Sequence, residues 1–293
     1  MTPAEPAAIR SVRRRLLRAG AAVAVAAVAT GFCRTVLPAP SEAGLAGGRV
    51  VEERETQFGR LAVIEVGRMR YLAYGPSARF VFQSALDLDR PHELAAAYTR
   101  LMMLGVVYAQ PYACMVQIGV GAGNMTRYAI RTFPSVVVQA IDIDRQALEL
   151  GARHFGLSPH PRLHVHVEDG RHWLAASNEL FDVIMLDAYD DESIPAPLRD
   201  AGFFRIVAAR LAPGGVVMQN VFMPQVDQPR LMTAIGASFD RIDVYKIGQS
   251  AVLAAYQGPR KDPQELSARA RRLDADLRPA HSLEKLLELR AAP

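Results

Sequence analysis

Chemistry gathers at four places in this chain. Gly119-Val120-Gly121-Ala122-Gly123-Asn124 is a glycine-rich loop. Glycine lets backbone approach a ligand closely, and a helix opening there would offer free N–H groups. Asp142 stands 23 residues after Gly119, where a carboxylate can accept hydrogen bonds from both ribose hydroxyls. NAD would use the same geometry, so these two features specify only a nucleoside. Asp169-Gly170 and Asp187-Ala188-Tyr189-Asp190-Asp191 add further acid. Asp169 is placed to meet an adenine amino group. Any one strand-end Asp is more commonly a helix N-cap or a turn residue. Together they fit a ligand carrying an adenosine, a sulfonium and an amine, whereas a dehydrogenase needs no acid at all of these positions.

Other residues point less far. His164 and His166 share one face of an extended run, but no third ligand follows at metal-binding spacing, so a solvated strand face is expected and no metal site. Trp173 would either wall the adenine or pack in the core. Met102, Met103 and Met115 read as core. Cys33 and Cys114 imply no disulfide framework. The chain shows neither a Ser-His-Asp order nor a phosphate-binding lysine loop.

The elements that must position these residues follow from hydrophobic period. Residues 50–88 read as β, with strands 61–66 and 69–74 flanking a Gly67-Arg68 hairpin and a third at 80–84. Pro91 opens a predicted helix over 92–109, apolar at Leu94, Ala97, Leu101, Leu104 and Tyr108. From residue 115, short apolar runs at 115–120, 136–142, 163–168, 181–187 and 215–222 alternate with helical segments at 125–133, 145–155, 170–176 and 202–211. Such alternation predicts a parallel sheet covered on both faces, with ligands at the carboxyl ends of its strands. After a helix at 228–239, runs 242–247 and 251–257 are separated only by Gly248-Gln249-Ser250. That gap is too short for a parallel crossover, so these strands must pair antiparallel. Residues 262–290 read as helical and charged, packing on the outside.

Half of the 293 residues are hydrophobic and 22% are charged, an ordinary globular composition. The net charge of +4 is unevenly spread: residues 1–50 hold seven Arg against Glu5 and Glu42. The remaining 243 residues hold 27 basic and 28 acidic groups, which leaves no electrostatic footprint for nucleic acid. No integral membrane domain is expected. Arg13-Arg14-Arg15-Leu16-Leu17-Arg18, the apolar residues 19–32 and Ser41-Glu42-Ala43 have the grammar of an export signal of the twin-arginine kind. The alternative is an upstream extension on a cytosolic enzyme.

Seven strands ending in an antiparallel hairpin are the layout of Rossmann-like S-adenosylmethionine-dependent transferases. Within them, residues 51–258 resemble the polyamine aminopropyltransferases, the spermidine and spermine synthases. The likeness runs through Gln83-Ser84, Tyr98, the glycine loop, Ile141-Asp142-Ile143-Asp144 and Glu168-Asp169-Gly170. It continues through Phe181-Asp182-Val183-Ile184-Met185-Leu186-Asp187 and Leu211-Ala212-Pro213-Gly214-Gly215. The Asp187-x-x-Asp190 spacing is its most specific element, and the Asn/Asp-Pro-Pro-Tyr of amino-directed methyltransferases is missing there.

The resemblance implies an α/β Rossmann-like seven-stranded S-adenosylmethionine-transferase fold preceded by a small N-terminal β domain. Its parts would be an N-terminal extension (1–49), the β-hairpin domain (50–89), the catalytic domain (90–258) and a C-terminal helical extension (259–293). It implies transfer of an aminopropyl group from decarboxylated S-adenosylmethionine, a co-substrate rather than a prosthetic group, to a small-molecule amine such as putrescine. Asp187 would be the base, Asp190 the anchor for amine charge and Tyr98 a hydrogen-bond partner. Gly119, Gly121, Gly123, Asp142, Asp169, Gly170 and Pro195 would form the nucleoside pocket. A homodimer in the cytoplasm is implied, with export as the alternative. Ala122 stands where the family has an Asp, Thr99-Arg100 where it has His-Glu, and Gly59 where it has Gln, with Gln57 two residues earlier. Arg100 near the pocket would repel a diamine and favour a carboxylate-bearing ligand. Two further readings are therefore an S-adenosylmethionine-dependent methyltransferase and a degenerate nucleoside-binding protein.

Overall fold

A computed structural model describes residues 47–75, 81–190 and 193–291. The signal-like segment, with Cys33 and Ser41-Glu42-Ala43, lies outside the described residues, as does Asp191. Four strands, β1 (Arg49–Thr56), β2 (Gly59–Val66), β3 (Met69–Tyr74) and β4 (Val81–Asp87), pair antiparallel in chain order. The hairpin falls at Gly67, and the strand expected at 80–84 runs on to Asp87. Both faces of β2 are buried, because Ala62 and Ile64 join Tyr71 and Met69 on one side. Leu61 and Val63 point the other way, into a cluster with Ala122, Ala147, Leu150 and Phe155. The small sheet is thereby packed onto the glycine loop and the helical segment 145–155.

The helix expected over 92–109 is instead two short ones, α1 (Ala97–Met102) and α2 (Gly105–Tyr108). The amides of Met103 and Leu104 turn back three residues, to the Arg100 and Leu101 carbonyls, and the chain changes direction there. Gly105 then lies flat on the large sheet, where an added Cβ would sit 2.6 Å from Val183 Cγ1. The apolar spacing continues across this bend, which is why the period alone does not reveal it.

The large sheet holds β5 (Cys114–Ile118), β6 (Val137–Asp142), β7 (Leu163–Val167), β8 (Phe181–Leu186), β9 (Leu211–Phe222), β10 (Arg241–Ile247) and β11 (Ser250–Tyr256). Their order is β10-β11-β9-β8-β5-β6-β7, with β5 to β9 parallel and β10 and β11 antiparallel. Helices α3 (Asn124–Thr132), α4 (Arg145–His154), α5 (Gly170–Ala176), α6 (Ala201–Ala209) and α7 (Gln228–Gly236) connect and cover it. The expected cover on both faces holds for β8, whose six residues are all buried, but not for β7. That strand is an edge, and Val165 and Val167 are 45% and 40% exposed.

The C-terminal segment is likewise divided. Helix α8 (Pro263–Leu277) ends where Arg278 turns left-handed, and α9 (Leu283–Leu287) is restarted by Ser282 capping Lys285 N. Residues 289–291 then run beside β10, through Lys246 N to Leu289 O and Ala291 N to Val244 O. Asp243, only 4% exposed, fastens this strap by pairing with Arg290. It also accepts from the hydroxyls of Tyr108 at 2.8 Å and Tyr256 at 3.2 Å. Removing it would leave Arg290 and two phenols without their acceptor. Asp243→Ala is expected to lower the unfolding free energy in urea by about 3–5 kcal/mol; a loss below about 1 kcal/mol, the size of an exposed ion pair, would contradict this account.

Candidate active site

The parallel register brings the carboxyl ends of β5, β6 and β8 side by side. At Gly119 the loop leaving β5 passes so close to the end of β8 that a Cβ would lie 2.5 Å from the Asp187 carbonyl oxygen, and φ there is +83°. Gly121 also has positive φ, and a Cβ on it would meet Ser84 Oγ at 2.8 Å. That hydroxyl accepts from Ala122 N at 3.1 Å, while Asn124 Nδ2 donates to Ala85 O at 2.6 Å. Strand β4 therefore holds the glycine loop from outside. Gly123, left-handed as well, precedes the first turn of α3.

Asp142 closes β6 and accepts three backbone hydrogen bonds. Its Oδ2 accepts from Val120 N at 2.7 Å and Gly121 N at 2.8 Å, and its Oδ1 accepts from Asp144 N at 2.9 Å. Burial pushes its pKa up against these three donors. Asp144 caps α4 through Gln146 N and receives the Tyr74 hydroxyl, tying β3 to the same strand end. Asp169 is exposed and performs the ordinary task of a strand-end Asp, capping α5 through His172 N at 2.8 Å. Gly170 behind it is needed for packing, since a Cβ would meet Ile118 Cγ2 at 2.3 Å.

Asp187 lies at the end of β8 with both carboxylate oxygens engaged by side chains. Asn220 Nδ2 donates to Oδ1 at 2.7 Å, and the Tyr98 hydroxyl, from α1, donates to Oδ2 at 3.1 Å. Burial outweighs these two bonds and, helped by the Asp142 charge, raises its pKa to about 7. Burial and the neighbouring Asp187 hold the Tyr98 phenol well above its usual range, so it stays a neutral donor. Asp190 is exposed and turns its Oδ1 to Ser193 N at 2.7 Å. Pro195 follows, half-buried, before a single 3₁₀ turn over Ala196–Leu198. The structure thus joins Tyr98 directly to Asp187, and the glycine loop directly to Asp142.

Several expectations change. Arg100 does not face the pocket: its guanidinium donates to the carbonyls of Leu94 at 2.8 Å and Ala95 at 3.3 Å. Two residues beyond Tyr98 on a helix is the opposite face. Ala122 is wholly buried among Leu61, Leu150 and Phe155. Gln57 is exposed in the β1–β2 turn. Trp173 packs between His166 and Phe181, with ring centroids 5.0 and 6.0 Å away, and His166 Nε2 pairs with Gln139 Oε1. Asn220 was not foreseen. A polar Gln219-Asn220 pair inside the apolar run of a central strand was the available signal.

Among known proteins, the family model of the spermine/spermidine synthase domain matches residues 96–238. A polyamine aminopropyltransferase of Chromobacterium violaceum is 27% identical over 220 residues, covering 71% of this chain and 83% of that one. A probable polyamine aminopropyl transferase of Bifidobacterium longum is 36% identical over 106 residues, which are 36% of this chain but only 23% of that larger protein. A probable spermidine synthase of Corynebacterium glutamicum shares the fold with a TM-score of 0.64 at 18% identity, over 77% of this chain and 88% of that one. Human methyltransferase-like protein 13, in complex with SAH, shares it with a TM-score of 0.58 at 23% identity, over 63% and 93%.

The raised pKa of Asp187 makes a stability prediction. Its ordinary value is near 3.8, and the folded chain holds it at about 7. The folded state therefore favours the protonated form, and this contribution is lost as pH rises through 7. Asp187→Asn, which never ionises, should melt at a higher temperature than the native protein at pH 8, with the difference closing towards pH 4. Equal melting temperatures at pH 8 would contradict the assignment.

Proposed function

We propose that this chain, whose residues 96–238 match the spermine/spermidine synthase domain model, moves the aminopropyl group of decarboxylated S-adenosylmethionine to an amine, releasing methylthioadenosine. The observation that carries this reading is the Asp187 carboxylate, held between Tyr98 and Asn220 with a pKa of about 7. A general base works best when its pKa lies near the working pH.

An amine arrives mostly as an ammonium and must lose a proton before it can attack. Asp187 takes that proton, and the nitrogen lone pair attacks the methylene carbon beside the sulfonium. The carbon–sulfur bond breaks with its electron pair going to sulfur, which leaves neutral methylthioadenosine and an aminopropylated amine. Tyr98, a neutral donor able also to accept, steers the nucleophile. Asp190 supplies negative charge for a second ammonium, as in putrescine or a related diamine. Gly119, Gly121 and Gly123 leave room for the donor beside the loop, with Asp142, Asp169, Gly170 and Pro195 around its nucleoside. Asp142 keeps few lone pairs for ribose, since a carboxylate offers about four and three are engaged. Holding donor and acceptor in line supplies much of the acceleration.

Arg100, committed to two backbone carbonyls, neither repels a diamine nor offers a partner for the carboxylate of ordinary S-adenosylmethionine. This favours aminopropyl transfer over methyl transfer, although the fold serves both. No helix among the described residues is long and apolar enough to cross a membrane. We place the reaction in the cytoplasm, where both substrates are made, and expect a homodimer.

Purified protein supplied with decarboxylated S-adenosylmethionine and a panel of amines should release methylthioadenosine only when an acceptor amine is present, as followed by mass spectrometry. Asp187→Asn should lower that turnover by roughly 10²–10⁴-fold. Donor consumption that ignores the amine, or full turnover in a folded Asp187→Asn protein, would overturn the proposal.

A further inference from the structure

Asn220 sits at the end of β9, five per cent exposed, on a strand that pairs with neighbours on both sides. Its backbone is fixed twice over. The Tyr189 hydroxyl donates to Asn220 O at 3.2 Å and accepts from Phe222 N at 2.7 Å, and Gln219 Nε2 donates to the same carbonyl at 2.8 Å. Gln219 Nε2 also donates to Leu186 O at 3.3 Å, so the segment that carries Asp187 is clasped to β9 on both sides of the carboxylate. Within this clasp the Asn220 side chain reaches Asp187 Oδ1 at 2.7 Å, the shorter of the two side-chain bonds that carboxylate accepts. The same amide's Oδ1 is buried without a hydrogen-bond partner. An unsatisfied buried acceptor inside a native fold is uncommon and calls for an explanation.

We infer that Asn220 is the positioning residue of this site: its amide orients the Asp187 carboxylate towards the incoming amine and sets how readily that carboxylate accepts a proton. The catalytic meaning of this rests on the transferase reading, but the hydrogen bond and its effect on Asp187 do not. A donor that bonds the charged carboxylate favours the ionised form, so it opposes the burial that pushes Asp187 up. The ionisable groups facing Asp187 are Tyr98 from α1, Tyr189 from its own loop and Asp142 from β6. The two phenols are raised by burial and stay neutral, and Asp142 acts against ionisation of Asp187. Asn220 and Tyr98 are the side chains that favour it. Tyr98 also touches the reacting amine in the proposed mechanism, so Asn220 is the one whose task is confined to the base.

Removing the amide should therefore raise the pKa of Asp187 by about one to two units, the equivalent of one hydrogen bond to a charged group. The test uses the full chain with ¹³C-labelled Asp carboxyl groups, the Asp187 signal being assigned from its loss in Asp187→Asn. Titration of Asn220→Ala should show that upward shift, and the isosteric Asn220→Asp, which preserves packing while placing a second carboxylate there, a larger one. Turnover of Asn220→Ala should fall about tenfold at pH 7.5 and recover in part by pH 9.5, the remainder being the lost orientation, with the donor KM unchanged. An unmoved Asp187 titration in the folded variants, or a loss of turnover that is the same at every pH, would overturn the inference. If no amine supports turnover in the native protein, the transferase reading fails, and the carboxyl titration still decides the part played by Asn220.

Discussion

The turn after β5 comes within contact of the end of β8, and only a residue without a Cβ can stand at that meeting point. Gly119 satisfies the constraint, with its own amide bonded to Ile141 O of β6 while Asp187 N bonds to Ile118 O of β5. Three neighbouring strand ends are locked in register by these bonds. The glycine loop then folds over Asp142, which gathers its N–H groups, and Ser84 from the small sheet secures the outer side. A larger residue at position 119 would separate the loop from β8 and with it Asp142 from Asp187.

Two carboxylates lie in this crevice; burial raises both, but their hydrogen-bond partners differ. Asp142 is surrounded by three backbone donors that belong to the fold and cannot leave. Asp187 has two side-chain donors, one on a short helix and one on a central strand, and burial dominates their effect. The first acid is an organiser of the loop. The second is poised to exchange a proton near neutral pH, which is the division of labour that amine activation asks for.

The sheet was legible because its strands are short apolar runs with clear turn signals. The three residues between 247 and 251 correctly require the antiparallel pair β10–β11, and Gly67 marks the first hairpin. What escaped the sequence depends on tertiary direction. The bend at Met103-Leu104 leaves the apolar spacing intact, so one helix was expected where two exist. Arg100 shares a helix with Tyr98 and by proximity belongs to the pocket, yet helical rotation and the free carbonyls of Leu94 and Ala95 take it elsewhere. Asp169 is expected at an adenine amino group, with a helix cap the commoner role for any one strand-end Asp, and the structure shows it capping α5. Asn220 was hidden because its function is defined by what faces it, 33 residues away in sequence.

The most direct test of the account is a crystal structure of the protein with decarboxylated S-adenosylmethionine bound. The account predicts the donor between the 119–123 loop and Asp187, with its ribose beside Asp142. The aminopropyl methylene next to sulfur should be open to attack by a nitrogen that can also reach the Asp187 carboxylate, within the ~3–3.5 Å of a near-attack geometry. A donor bound with its sulfonium turned away from Asp187, or held outside the carboxyl ends of β5, β6 and β8, would contradict it.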